Sequence, residues 1–216
     1  MHFAEKVPQK YVFHDIHHVR SVVEAVAQIA AHFPLSDQEL EILLLAGWFH
    51  DTGYDQGPED HEARSATYAR EFLMARKYPV ADIKRVEAAI LATKPSFSPT
   101  ETIEQILCDA DLSHLGSHLY WDCCGKVRQE LAITRGAIVS EQEWIESEIE
   151  FMEQHQYLTD VGEALFGELK EKHIKQLKKQ RLRLHPEELE QELLKKQLKK
   201  EEKDKKKIKS QVGEVT

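Results

Sequence analysis

The sequence predicts an all-α helical bundle followed by a long, charged C-terminal helical extension. Three observations carry that prediction. Apolar residues recur at helical spacing through nearly every segment up to residue 160, serine–glutamate capping boxes occur twice, and the alternating pattern of strands is almost absent. A chain of 216 residues suits one domain of about 150 to 170 residues plus an appended segment. The expected division is a domain over 1–160, a basic helical extension or linker over 161–209, and a disordered end over 210–216.

Val19, Val22, Val23, Val26, Ile29, Ala30 and Phe33 keep helical spacing until Pro34 stops the run. Ser36 and Glu39 then form a capping box, each side chain satisfying an orphan amide of the next helix. That helix runs through Leu40, Leu43, Leu44 and Trp48 and delivers His50 and Asp51 at its end, before Thr52-Gly53 breaks into a loop. A third helix is expected from His61 to Tyr78, ended by Pro79, and a fourth from Ala81 to Thr93. A fifth runs from Thr100 to Asp111, and two more cover Ser117 to Leu131 and Ser140 to Gln156, the last opened by the Ser140–Glu143 box. From Val161 the pattern changes to charged stretches with sparse leucines.

The net charge of −9 hides two opposite halves. Residues 168–210 carry 16 Lys and Arg against 9 Asp and Glu, a surplus of +7, which leaves −16 for the rest. An acidic body argues against broad nucleic-acid binding. The basic, leucine-spaced extension reads as a solvated helix, or as a coiled-coil association helix, or as a segment lying near anionic lipid. No run reaches the roughly 18 apolar residues that span a bilayer, and no signal-peptide core is present. With three cysteines lacking metal-type spacing, a cytoplasmic, reducing location is expected, with Cys123 and Cys124 as inert thiols. The abrupt end after Ser210 reads as part of something longer.

The chemistry concentrates in polar residues at the ends of apolar helices. His50-Asp51 follows Leu43-Leu44-Leu45-Ala46-Gly47-Trp48-Phe49, where an ionised carboxylate needs a cationic partner. His18 stands on the first helix, and Cys108-Asp109-Ala110-Asp111 closes the fifth just after Ile106 and Leu107. Three helices thus present His18, His50, Asp51 and an aspartate of the Asp109/Asp111 pair to one interior. Mixed imidazole and carboxylate donors suit Mn, Fe, Co, Ni or Zn better than Mg. Four ligands leave positions for water and a phosphate oxygen.

This ordered series resembles the HD superfamily of metal-dependent phosphohydrolases, over roughly residues 10–135. The segments Phe13-His14-Asp15-Ile16-His17-His18-Val19, Trp48-Phe49-His50-Asp51-Thr52-Gly53-Tyr54, His61-Glu62-Ala63-Arg64-Ser65-Ala66, Ile90-Leu91-Ala92-Thr93-Lys94 and Asp109-Ala110-Asp111-Leu112-Ser113-His114-Leu115-Gly116 follow in the family's order. They are most similar to the "predicted metal-dependent HD phosphohydrolase" subgroup. The resemblance implies an HD-domain helical bundle with His18, His50, Asp51 and Asp111 as metal ligands, and Asp109 orienting a ligand or water. It also implies one divalent ion, because Thr93 stands where binuclear members carry a second extra histidine; His61 matches the first. Asp55 resembles the acidic catalytic position of some nucleotide-cleaving relatives.

Lys94 and Arg64, with Arg20 beside His18, are the candidates for holding phosphate oxygens. The expected activity is metal-dependent hydrolysis of a phosphoester or phosphoanhydride in a small, nucleotide-like substrate. The alternative is a metal-containing regulatory or nucleotide-sensing module of a larger, membrane-linked protein, which the basic extension favours. Homo-oligomers or membrane-surface contact would go through that extension.

Overall fold

The computed structural model describes residues 6–136, 138–187, 190, 194, 197 and 198. The Lys199-Lys200 and Lys205-Lys206-Lys207 blocks and the 210–216 end lie outside the described residues. Helices account for the architecture, and no strand occurs among the described residues.

Five helices build the first core: α1 (Ile16–Ala30), α2 (Asp37–Phe49), α3 (His61–Ala75), α4 (Val80–Ala92) and α5 (Thr102–Asp111). Each contributes one apolar stripe. Val22, Val26 and Ile29 of α1 meet Ile42, Leu43 and Ala46 of α2, with Ile106 and Leu107 of α5 closing the same cluster. Leu73, Val86 and Ile90 extend it beneath α3 and α4. The boundaries follow local chemistry. Asp15 caps α1 by accepting the His17 and His18 amides, and Ser36 with Glu39 forms the expected reciprocal box on α2. The third helix stops at Ala75, three residues short of the expected end, and Lys77 takes a left-handed φ of 59° before the chain turns into Pro79.

A 3₁₀ turn (Thr52–Gln56) joins α2 to the loop before α3. Gly53 is required there: a Cβ would lie 2.2 Å from the His61 carbonyl oxygen. Its amide donates to Ser65 Oγ at 2.8 Å, and Arg64 clamps the same loop by donating to the carbonyls of Gly53, Gly57 and Glu59.

A second 3₁₀ turn (Leu112–Gly116) leads from α5 into α6 (Tyr120–Arg135) and α7 (Glu141–Gln154). After a short helical turn at Asp160–Gly162 and a π turn at Glu163–Gly167, α8 runs over Glu168–Leu184. These elements share a smaller core of Leu115, Tyr120, Trp144, Ile145, Ile149, Met152, Ile174 and Leu177. The segment assigned from sequence to the charged extension therefore begins inside the packed body. No helix among the described residues is long and apolar enough to cross a membrane.

Candidate metal centre

Three helix ends converge on one point. His18 lies in the first turn of α1, His50 continues the last turn of α2 with its amide bonded to Ala46, and Asp111 is the last residue of α5. His18, His50 and Asp51 are all buried, and one ligand atom from each falls within 4.8 Å of the others. Asp111 completes the ring. His18 Nε2 is 3.1 Å from Asp111 Oδ1 and 3.3 Å from Asp51 Oδ2; His50 Nε2 is 3.5 Å and 3.2 Å from the same two oxygens. The two Nε2 atoms are 3.4 Å apart. Ligands at about 2.1 Å from an ion stand about 3 Å apart when adjacent, so these spacings suit one shared cation.

Two details show that the donor set fits a metal. His50 is fully buried, and its Nδ1–H donates to the Gly47 carbonyl at 2.8 Å, so neutral His50 aims a bare Nε2 lone pair at two carboxylates. Asp51 Oδ2 is buried without a hydrogen-bond partner. Lone pairs facing one another in a dry pocket need a cation between them. When no ion is bound, protons take that part. Burial pulls the His18 imidazole down, but the Asp111 and Asp51 carboxylates outweigh it and lift His18 to about 9. His50 rises well above its ordinary value by the same balance. Burial pushes Asp51 and Asp111 up, yet the two imidazoles hold both below the usual carboxylate range.

Around this ring the structure adds groups the sequence did not assign. His14 stacks on Tyr54 at 3.8 Å, and its Nδ1 pairs with Glu130, a buried carboxylate of α6 that also accepts the Phe13 amide at 3.0 Å. His114 Nδ1–H donates to the Asp111 carbonyl at 3.1 Å, and its ring lies 6.3 Å from that of His18. Burial, then the nearby His18, holds His114 down at about 4. His61, which the sequence did match to the first extra histidine of binuclear members, donates through Nδ1–H to Pro58 O and holds Nε2 3.5 Å from Asp51 Oδ1.

The other sequence candidates are engaged elsewhere. Lys94 pairs with the exposed Asp60 at 2.9 Å, because α4 ends facing the loop before α3. Arg64 holds loop carbonyls, as described above, and Asp55 accepts the Tyr68 hydroxyl at 3.0 Å. Asp109 makes its hydrogen bonds away from the ring. Its carboxylate accepts Leu158 N at 2.6 Å, Thr159 N at 2.9 Å and Thr159 Oγ at 2.6 Å, fastening the segment after α7 to the end of α5. Tyr120 is fully buried against His173, whereas Trp121 is partly exposed. Burial raises the Cys123 and Cys124 thiols, so both stay protonated.

Residues 15–115 match the family model of the HD domain, which bears out the resemblance carried by the His18, His50-Asp51 and Asp111 segments. The matched span contains all four ring residues and excludes His14 and Glu130. No curated protein and no solved structure matches the chain.

Proposed function

We propose, on the premise that residues 15–115 match the HD domain of metal-dependent phosphohydrolases, that this chain hydrolyses a phosphate ester bond in a small, nucleotide-like molecule. The observation that carries the proposal is the buried ring of His18, His50, Asp51 and Asp111, with Asp51 Oδ2 lacking any hydrogen-bond partner. A divalent ion held by these four would supply Lewis acidity toward a phosphate oxygen and toward water.

The chain's own residues divide the remaining work. Gly47 O fixes the His50 ring so that Nε2 faces the ring interior. Asp51, just past the end of α2, and Asp111, at the end of α5, supply two negative charges to the same point. His114 commits its Nδ1 proton to the Asp111 carbonyl, which leaves Nε2 as a hydrogen-bond acceptor for a water or a substrate hydroxyl beside the ring. In the reaction, the water oxygen forms a bond to phosphorus as the bond from phosphorus to the leaving oxygen breaks. The proton lost by water ends on the leaving oxygen, giving phosphate and an alcohol. Replacing His50 and Asp51 by alanine should remove bound metal and turnover together. Full turnover by a metal-free double variant would sink the proposal.

One observation favours a second reading, a regulatory module with little turnover. The first turns of the basic extension touch the site's own support: His173 Nδ1–H donates to Leu115 O at 2.9 Å, one residue after His114. Under that reading the purified chain binds metal and nucleotide but releases no phosphate.

A further inference from the structure

Resting on the hydrolytic reading above, we infer that the substrate is a phosphomonoester, one terminal phosphate on an uncharged, hydroxyl-bearing leaving group, and that polyphosphates are turned away by charge. A cleft of about 250 Å³ adjoins the metal ring and shares His18 with it, His114 forming part of the same wall. Histidines apart, its charged side chains are Asp15, Glu24, Asp122 and Lys126. Lys126 is already matched by Asp122 at 2.9 Å, and Asp15 faces the amides of α1, which leaves Glu24 to set the sign of the wall. Ser21, Gln28, Ser113 and Ser117 supply neutral donors and acceptors for hydroxyl groups.

A second depression, bordered by Glu62 next to His61, repeats the pattern. It contains Glu59, Asp60 and Glu62 against Lys94, and Lys94 is matched by Asp60. Neither depression is lined by an arginine, and Arg64 is held by three loop carbonyls. In these two depressions the ion held by the ring is therefore the unpaired cation, histidines apart, that a phosphate can meet.

Charge then limits the substrate. The ion's two positive charges are already balanced by Asp51 and Asp111, so a phosphomonoester, about −1.5 to −2 at pH 7, is held by coordination rather than by surplus charge, and each further phosphoryl group adds roughly one more negative charge. In a di- or triphosphate that surplus must lie along walls whose lysines are already paired and whose remaining charges are carboxylates. Like charges at such range repel and slow encounter as well as binding. A sugar or nucleoside, by contrast, meets serines and an amide.

The test uses the full chain loaded with metal, the ion kept in excess so that chelation by phosphates does not strip the site. Mono-, di- and triphosphates of one nucleoside, together with sugar phosphates, are compared by phosphate release. The expected kcat/KM for the monophosphates is at least about tenfold above the triphosphate. Calorimetry with inorganic phosphate and tripolyphosphate reads the same preference without turnover, phosphate binding the tighter. Glu24→Lys should narrow the gap about fivefold in favour of the triphosphate. Equal or faster triphosphate turnover, or tighter tripolyphosphate binding, overturns the inference. Absence of any phosphate release overturns the hydrolytic reading itself, and the calorimetric order still decides whether polyphosphates are excluded.

Discussion

His18 Nε2 has two competitors for its lone pair, a metal ion and a proton. With no ion bound, His18 is lifted to about 9, and His50 is raised by the same carboxylates. Imidazolium here stabilises the ion-free fold fully below the ordinary value of 6.5, and that contribution is lost as pH rises through about 9. Metal binding needs the deprotonated rings, so apparent affinity should climb as pH rises toward about 9, by up to about tenfold per unit for each proton released. Calorimetry in buffers of different ionisation enthalpy counts those protons, and a pH-independent affinity would contradict the assignment. The ring itself was legible in the sequence, because His18, His50-Asp51 and the Asp109/Asp111 pair follow in the order of the HD family, and that resemblance chose Asp111. Glu130 was not. It sits in a mixed, charged helix, and its task, accepting the Phe13 amide and pairing with His14, is set by a contact across 116 residues. Glu130→Gln puts an amide where those donors need an acceptor, and should cost about 1–3 kcal/mol in urea denaturation, since buried donors are left unmatched.

Helix starts were readable for a related reason: caps are local. Ser36–Glu39 and Ser140–Glu143 both form the boxes their spacing implies. The two 3₁₀ turns were not readable, because their shape is imposed by what packs on them. Gly116 is the clearest case. A Cβ there would sit 2.1 Å from the carbonyl oxygen of Phe166, which belongs to the π turn leading into α8. Backbone cannot yield as a side-chain tip can, so Gly116→Ala should destabilise by about 1–3 kcal/mol or more. Because Gly116 is two residues from His114, the same variant should also weaken phosphate turnover. Gly125 is the internal control: it lies within α6, and a Cβ there meets nothing within 4 Å. Gly125→Ala should leave stability unchanged or raise it by up to about 1 kcal/mol, with the melting temperature following, as expected for an open helical glycine. Equal melting of the two variants would show that the close approach at Gly116 is not a constraint.

At the scale of the whole molecule, charge composition and packing divide the chain at different places. Composition changes near residue 161, where acidic body gives way to basic helix. The core continues beyond that point. Lys170, His173, Ile174 and Leu177 fall at i, i+3, i+4 and i+7 along one side of α8, and all four are buried. Ile174 and Leu177 join Trp144, Ile149 and Met152, Lys170 Nζ donates to the His155 carbonyl, and His173 stacks on Tyr120. A stripe this narrow is masked in the sequence by the lysines around it, which is why leucine spacing alone read as an appended helix. The consequence is measurable. Chains ending at residue 160 lose two buried aliphatic side chains worth about 1.5–3 kcal/mol each, against a total stability of about 5–15 kcal/mol. They should melt well below the full chain and bind a hydrophobic dye through the uncovered Trp144 face. Chains ending at residue 187 keep the stripe and should melt with the full protein. If the 160-residue chain melted as high as the 187-residue one, α8 would be a passenger on the bundle, and its bond to Leu115 could not steady His114 beside the metal ring.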